Sequence, residues 1–388
     1  MKEDLASYAI NPITSRGRFV PEEESKGRTN FQRDRDRIIH SSAFRKLMHK
    51  TQVFLSHEGD LFRTRLTHSI EVAQIARVIS RRLNLNEDLT EALCLAHDLG
   101  HTPFGHAGQH ALNRCLRKLD SKSCGFEHNI QSLRIVDKLE CKYFNFDGLN
   151  LCFETREGIL KHCSKLAAKK LGDVAERFLC GGFPTLEAQL VNIADEIAYN
   201  HHDLDDGLRS GLLDFEEVVE LEAVKSNFLK VERAYPYEST SFEAGEYQSR
   251  RQSEVIRRMI NVQIEDLVTN TKKKIVESAV STVDEVRNYE KLLVGFSDEM
   301  QNFVKELKFF LHEKLYKHTV VMGMTSAAEI IIADLFKVLL DKSVEQNGEP
   351  CLRSTADSIA AMTDRTAALT HLRYFPNKVI WPREVYFT

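Results

Sequence analysis

Apolar residues recur at intervals of three and four along most of the chain, the spacing that lines one face of an α-helix. Ile38, Ile39, Ala43 and Leu47 mark a first core helix over 34–50. Val72, Ile75, Ala76, Ile79 and Leu83 mark another over 67–83, with His68 at its start. Leu89, Ala92, Leu93 and Ala96 mark a third over 87–99, whose buried face leads into His97-Asp98 before Gly100 ends the turn. Helices are also predicted over 107–119 and 127–140, and one capped by Thr155. Between them, 143–153 reads as loop with a short β pair. Gly181-Gly182-Phe183-Pro184 breaks the chain before a helix with Leu186, Leu190, Ile193 and Ile197 on one face. Asn192, Asp195, Tyr199 and Asp203 repeat at the same spacing on another face, so Asp195 belongs to a polar stripe on a buried helix. The expected fold class is all-α.

Three regions follow from the texture. Residues 1–32 are polar, with Pro12, Pro21, Gly17, Gly27 and the run Glu22-Glu23-Glu24, and read as an irregular, solvated arm. Residues 33–210 form a helical core. From 211 to 388 the helices become charged and amphipathic, with polar breaks near 233–250 and 343–350, as expected of an extension that completes a pocket and builds oligomer contacts. No period typical of a repeat protein is present.

Composition narrows the class without naming a function. A chain of 388 residues with 42% hydrophobic and 28% charged residues is an ordinary soluble globular protein. The first ten residues lack the apolar run of a signal peptide, and no later window reads as a membrane span. Eight cysteines (94, 115, 124, 141, 152, 163, 180 and 351) are scattered with no C-x-x-C pair, which argues for a reducing cytoplasm and against a zinc knuckle or disulfide framework. A net charge of -4 argues against strong general attraction to nucleic acid.

The chemistry concentrates in Leu95-Ala96-His97-Asp98-Leu99-Gly100-His101-Thr102-Pro103-Phe104-Gly105-His106-Ala107-Gly108-Gln109-His110. Four of the 15 histidines lie here beside an aspartate, on backbone that glycine and proline allow to turn sharply. Imidazole and carboxylate together suit a divalent metal, but two adjacent ligands cannot close a shell. His68 and Asp195, on other predicted helices, are the candidates to complete it. Asp203-Leu204-Asp205-Asp206-Gly207 superficially suggests a calcium loop, but its glycine falls one place early and the distal Glu is misplaced. No G-x-x-x-x-G-K-[ST] occurs, which excludes phosphate handling of the P-loop kind.

The order His, His-Asp, distant Asp, all on helices, resembles the HD superfamily of metal-dependent phosphohydrolases. Flanking segments sharpen the resemblance: 36–45, Lys50-Thr51-Gln52-Val53-Phe54, 63–68, 97–106, Gly125-Phe126-Glu127-His128-Asn129, 154–158, 194–199 and Met362-Thr363-Asp364-Arg365. Together they are similar to the bacterial deoxyguanosinetriphosphate triphosphohydrolase family, in its shorter dGTPase-like branch, from about residue 33 onward.

That resemblance implies hydrolysis of a dNTP to deoxynucleoside and inorganic triphosphate. It implies one divalent ion, Mg or Mn first and Fe, Co, Ni or Zn as alternatives, held by His68, His97, Asp98 and Asp195. Arg65 would contact phosphate, His106 would be the catalytic histidine, and His101 and His128 would help hold phosphates. Tyr199 and Asp203 would line the deoxyribose and phosphate pocket, Gln52 would meet the 3'-hydroxyl, and Tyr316 and Lys317 would contact nucleotide. Relatives commonly form hexamers, and some need a second nucleotide as activator; weak single-stranded DNA binding is also compatible. Three residues after the catalytic histidine most relatives carry an acid, whereas this chain has Gln109, which is expected to accept from the His106 imidazole without adding charge. Two other readings stay open: an HD phosphohydrolase of nucleoside monophosphates or signalling nucleotides, and a nucleotide- or single-strand-binding regulator with little turnover.

Overall fold

The computed structural model describes residues 5–52, 62–378 and 380. The first segment holds α1 (Asn30–Ile39) and α2 (Ser42–Lys46), then come α3 (Arg65–Arg82), α4 (Glu87–Ala96), α5 (Gly105–Leu119), α6 (His128–Arg134) and α7 (Phe153–Ile159). Two short helices, α8 (Lys165–Leu171) and α9 (Arg177–Cys180), lead to the 24-residue α10 (Leu186–Arg209). Downstream lie α11 (Phe215–Val219), α12 (Glu222–Ala234), α13 (Ala244–Ser278), α14 (Val283–Asn288), α15 (Asp298–Leu311), α16 (Thr319–Asn347), α17 (Leu352–Ala360) and α18 (Asp364–Tyr374). The fold is all-α. Among the described residues, extended pairing is limited to two isolated bridges, Arg18 with Cys152 and Thr51 with Thr64.

Three apolar cores organise these helices. The first gathers Val72, Ile75 and Ile79 of α3, Leu89 and Leu93 of α4, and Leu190 and Ile197 of α10. The second joins Ala111 and Leu112 of α5 to Ile331 and Leu335 of α16, Ile359 of α17 and Ala367 of α18. The third packs Val224 of α12, Met259 of α13 and Leu311 of α15 around Leu204 near the end of α10.

Several local expectations change. The helix expected over 34–50 is broken at Ser41, whose hydroxyl accepts from the amide of Phe44 and caps a new helix at 3.1 Å. Thr155 does not cap: α7 starts two residues earlier, and the Thr155 hydroxyl instead donates to the buried Asp34 carboxylate at 2.7 Å. The β pair expected within 143–153 is replaced by the single bridge from Cys152 to Arg18. The amino-terminal arm is irregular and solvated along much of its length, but it is anchored at one point: Ala9 and Ile10 are fully buried and the Ile10 amide donates to Glu187 at 3.0 Å. Finally, contrary to the expectation that no window reads as a membrane span, α16 is long and apolar enough to cross a membrane by length and composition. Its buried face belongs to the second core.

Candidate metal and phosphate site

Three helices bring the candidate ligands together. His68 sits in the first turn of α3, which Thr64 caps. His97 and Asp98 follow the last residue of α4 and are buried. Asp195 projects from the middle of α10. The Asp195 Oδ1 lies 3.0 Å from His68 Nε2 and 3.5 Å from His97 Nε2, and Asp98 Oδ1 lies 3.3 Å from His97 Nε2.

The proton positions on these rings follow from their other nitrogens. His97 Nδ1 is 2.6 Å from the carbonyl of Cys94, an obligate acceptor, so Nδ1 carries a hydrogen and Nε2 is the nitrogen that faces the cluster, where the Asp98 and Asp195 carboxylates raise the ring's pKa against its burial. Among the described residues that Nε2 makes no hydrogen bond, although it is buried. His202 Nε2 pairs with the Glu71 carboxylate, so that nitrogen carries a hydrogen, and burial lowers the ring's pKa against the pull of Glu71, which leaves Nδ1 as the acceptor. It accepts from His68 Nδ1 at 3.0 Å, which turns His68 Nε2 toward a carboxylate oxygen of Asp195. Ring nitrogens and carboxylate oxygens at 3.0 to 3.5 Å repel one another unless a proton or a metal cation lies among them. The donor set of two imidazoles and two carboxylates therefore fits a divalent ion. The ligating atoms of His68, His97 and Asp98 all lie within 4.8 Å of one another.

Charge around the quartet is arranged to keep both carboxylates ionised. Burial would raise Asp98, but His97, Arg65 and His101 together hold its carboxyl well below the usual carboxylate range. Arg65 Nη1 donates to Asp98 Oδ2 at 2.7 Å, leaving Oδ1 for the cluster. Asp195 is likewise held low against its own burial, chiefly by Lys161, whose ammonium pairs with Oδ2. Lys161 was not singled out in the sequence; it follows α7 in a stretch without periodicity.

A second wall, built of histidines, adjoins the first. His101 stacks on His128 with ring centroids 4.1 Å apart, and His106 stands edge-on to His101 at 5.2 Å. His101 Nε2 lies 3.4 Å from Asp98 Oδ1, which ties this wall to the metal quartet. Burial, then the Arg65 charge, pushes His101 well below its ordinary value, and burial draws His128 down to about 3. His106 is exposed at the mouth, yet crowding in the cleft followed by the Arg65 charge draws it down to about 4.

Gln109 does not meet His106. Its Oε1 accepts from His128 Nδ1 at 2.8 Å and from the His128 backbone amide at 3.0 Å, while its Nε2 reaches Glu127 at 3.4 Å. The α6 amino terminus presents unpaired amides, and the nearest side-chain carbonyl fills that need.

The sugar-side residues divide. Tyr316 donates to the Asp203 carboxylate, and its ring stacks near Tyr199 with centroids 6.2 Å apart. Burial first, then Asp206, raises Asp203 to about 8, so it is a neutral acid at pH 7. Gln52 precedes the segment 53–61, which lies outside the described residues along with Val53 and Phe54 of its motif. Its Oε1 is buried and, among the described residues, without a hydrogen-bond partner. Lys317 is not brought into the cleft, because it is exposed and its ammonium pairs with Glu313 one helical turn back at 2.7 Å.

Comparison with known proteins identifies the family. Residues 65–200 match the HD domain model, and residues 294–373 match the phosphohydrolase-associated domain. A deoxyguanosinetriphosphate triphosphohydrolase-like protein of Bordetella pertussis is 52% identical over 383 residues, covering 97% of both chains. Proteins of the same name from Ralstonia pickettii and Thiobacillus denitrificans are 53% and 51% identical, over 96% and 98% of this chain and 94% and 100% of theirs.

Proposed function

The chain belongs to the deoxyguanosinetriphosphate triphosphohydrolase-like proteins and is a metal-dependent phosphohydrolase of the HD type, and on that premise we propose that it cleaves dNTPs to deoxynucleoside and inorganic triphosphate. The observation that carries the reading is the position of the histidine wall. Arg65, His101, His106 and His128 stand directly beside the quartet of His68, His97, Asp98 and Asp195, so a triphosphate lying along them keeps its α-phosphate at the quartet.

A divalent ion held by that quartet would neutralise charge developing on the phosphate, the usual contribution of such an ion to phosphoryl hydrolysis. Around it, Arg65 supplies a fixed positive charge at the α-phosphate end, and His101 and His128 line the rest of the triphosphate. Water adds at the α-phosphorus as the bond to the 5'-oxygen breaks. His106, unprotonated at pH 7, takes a proton from the attacking water and returns one to the departing 5'-oxygen. Tyr199 forms the floor under the sugar, where a 2'-hydroxyl would clash. Neutral Asp203 and the Gln52 amide answer the sugar hydroxyl. The proposal extends to a cytoplasmic homo-oligomer with a nucleotide activator.

The test is product identification. Each dNTP, alone and mixed, is incubated with the protein and Mg, Mn or Co, and products are separated by ion exchange. Deoxynucleoside with intact triphosphate, lost in His97→Ala and Asp98→Ala, supports the proposal. Orthophosphate or pyrophosphate without triphosphate would replace it with another phosphohydrolase reaction, and binding without turnover would replace it with a regulator.

A further inference from the structure

Two segments of the sequence, Lys50-Thr51 and Met362-Thr363-Asp364-Arg365, carry no role in the reaction above, although they lie more than three hundred positions apart and meet at the histidine loop. Asp364 is the first residue of α18, with Thr363 as its cap, so its carboxylate sits at a helix amino terminus that favours negative charge. It is buried to within 3% of full enclosure. Its Oδ1 accepts from the backbone amide of Phe104 at 2.9 Å, and its Oδ2 accepts from the Thr51 amide at 2.8 Å and from the Thr51 hydroxyl. Lys50, also fully enclosed, donates to the carbonyls of His101 and of Ala360, the latter at 2.8 Å and at the end of α17.

The loop needs this support for a stated reason. Phe104 takes the left-handed conformation at φ 62°, which crowds the Cβ of any residue with a side chain against its own backbone. It stands as the cap of α5 with no side-chain bond to that helix, so its own amide must find an acceptor elsewhere. Gly105 follows at φ 58°, and a Cβ there would come 3.0 Å from Arg65 Nη2 and 3.6 Å from the Gln52 carbonyl. A shift of Phe104 is therefore felt by His106 two residues on, by Arg65 and by Gln52 together.

We propose that Asp364, with Lys50 and Thr51, is a positioning latch: the corner between α17 and α18 holds the His101–His106 loop in register with the quartet. The latch acts through Phe104 and His101 and touches no substrate. In its catalytic consequence it rests on the dNTP reading; in its structural consequence it does not, and the experiment separates the two.

Amide hydrogen exchange by mass spectrometry is measured on the full chain for wild type, Asp364→Ala, Asp364→Asn, Thr51→Val and, as a control on the outer side of α16, Glu329→Gln, whose carboxylate pairs with Arg114. Exchange in peptides spanning 100–106 and 47–52 is expected to rise at least tenfold in Asp364→Ala, and less in Asp364→Asn, which keeps one acceptor oxygen, and in Thr51→Val. Manganese affinity by calorimetry is expected to stay within threefold, because the quartet stands on α3, α4 and α10. Turnover is expected to fall about 100-fold in Asp364→Ala, the scale of a misplaced catalytic group, with Asp364→Asn recovering part of it. Unchanged exchange at 100–106, or exchange raised equally throughout α5 and α16–α18, overturns the latch. A wild-type chain that hydrolyses no dNTP sinks the function proposed above, and the exchange data alone then decide the latch.

Discussion

His202 Nδ1 stands 3.0 Å from His68 Nδ1, with the Glu71 carboxylate on its far side, so a chain of two imidazoles and an acid fixes which nitrogen of His68 faces the quartet. Removing the acceptor frees the His68 ring to turn and to exchange tautomers. His202→Ala is expected to weaken manganese binding by about 10- to 100-fold, as losses of such ligand-orienting partners do. Calorimetric titration at pH 7.5 checks it, and undiminished affinity would remove His202 from the ligand's support.

Lys161 makes a contrary pair of demands. Its ammonium keeps Asp195 ionised but also repels a bound cation. In Lys161→Met the Asp195 carboxyl rises toward its ordinary range, so proton competition reaches to higher pH. Manganese affinity is expected to fall below wild type near pH 5 and to exceed it near pH 8. Titrations at both pH values show whether the curves cross.

Asp203 gives a stability signature of definite sign. Its folded value of about 8 exceeds the ordinary carboxylate value of 3.8, so the folded state binds the proton more tightly than the unfolded state. Its contribution is unpenalised below about pH 4, and stability is lost as pH rises from there to about 8, where the cost levels off. Asp203→Asn, which cannot ionise, is expected to lose less melting temperature between pH 5 and pH 8 than wild type. Parallel thermal scans measure the difference.

Gln109→Glu places a carboxylate within reach of Glu127, whose Oε2 now meets the Gln109 amide. Like charges at that distance raise each other's proton affinity, so the variant is expected to match wild type in stability near pH 4 and to fall below it by about 1–2 kcal/mol by pH 8. It is also expected to raise the His128 pKa from about 3, because His128 Nδ1 would then face an anion. Denaturant titrations and histidine NMR read the two effects separately; a change confined to His106 would restore the partner expected from the sequence.

Gly100 allows the loop to touch α6. A Cβ there would lie 2.2 Å from the Ser132 amide nitrogen and 2.3 Å from the His128 carbonyl, both backbone atoms that cannot swing aside. Gly100→Ala is expected to cost about 3 kcal/mol, at the upper end of overpacking effects, and to move the His128 stack. Urea unfolding gives the first and the His128 resonance the second.

The metal quartet was legible because each ligand sits where a helical pattern can be read: His68 at the start of one apolar stripe, His97-Asp98 at the end of another, and Asp195 on a polar stripe of a third. His202 was legible in principle, seven residues beyond Asp195 and so on its face of α10. The partner of Gln109 was not, because three residues of helical spacing to His106 say nothing about the amides that α6 presents from elsewhere. Lys161 and Asp364 depend on tertiary placement alone: one lies in an aperiodic turn, and the other reaches a loop more than two hundred and fifty positions away. Lys317 shows the converse, where an exposed lysine found a neighbour on its own helix sooner than a distant cleft.

The quartet and the histidine loop stand on different cores, the first on α3, α4 and α10 and the second on α5 with α16–α18. Substitutions drifting through Ile331, Leu335 or Ile359 can therefore tilt the histidine wall by fractions of an ångström while the quartet keeps its geometry. Such a scaffold lets a lineage retune one half of the cleft by conservative changes far from it. Its adaptive record would be written in aliphatic residues that never reach the cleft.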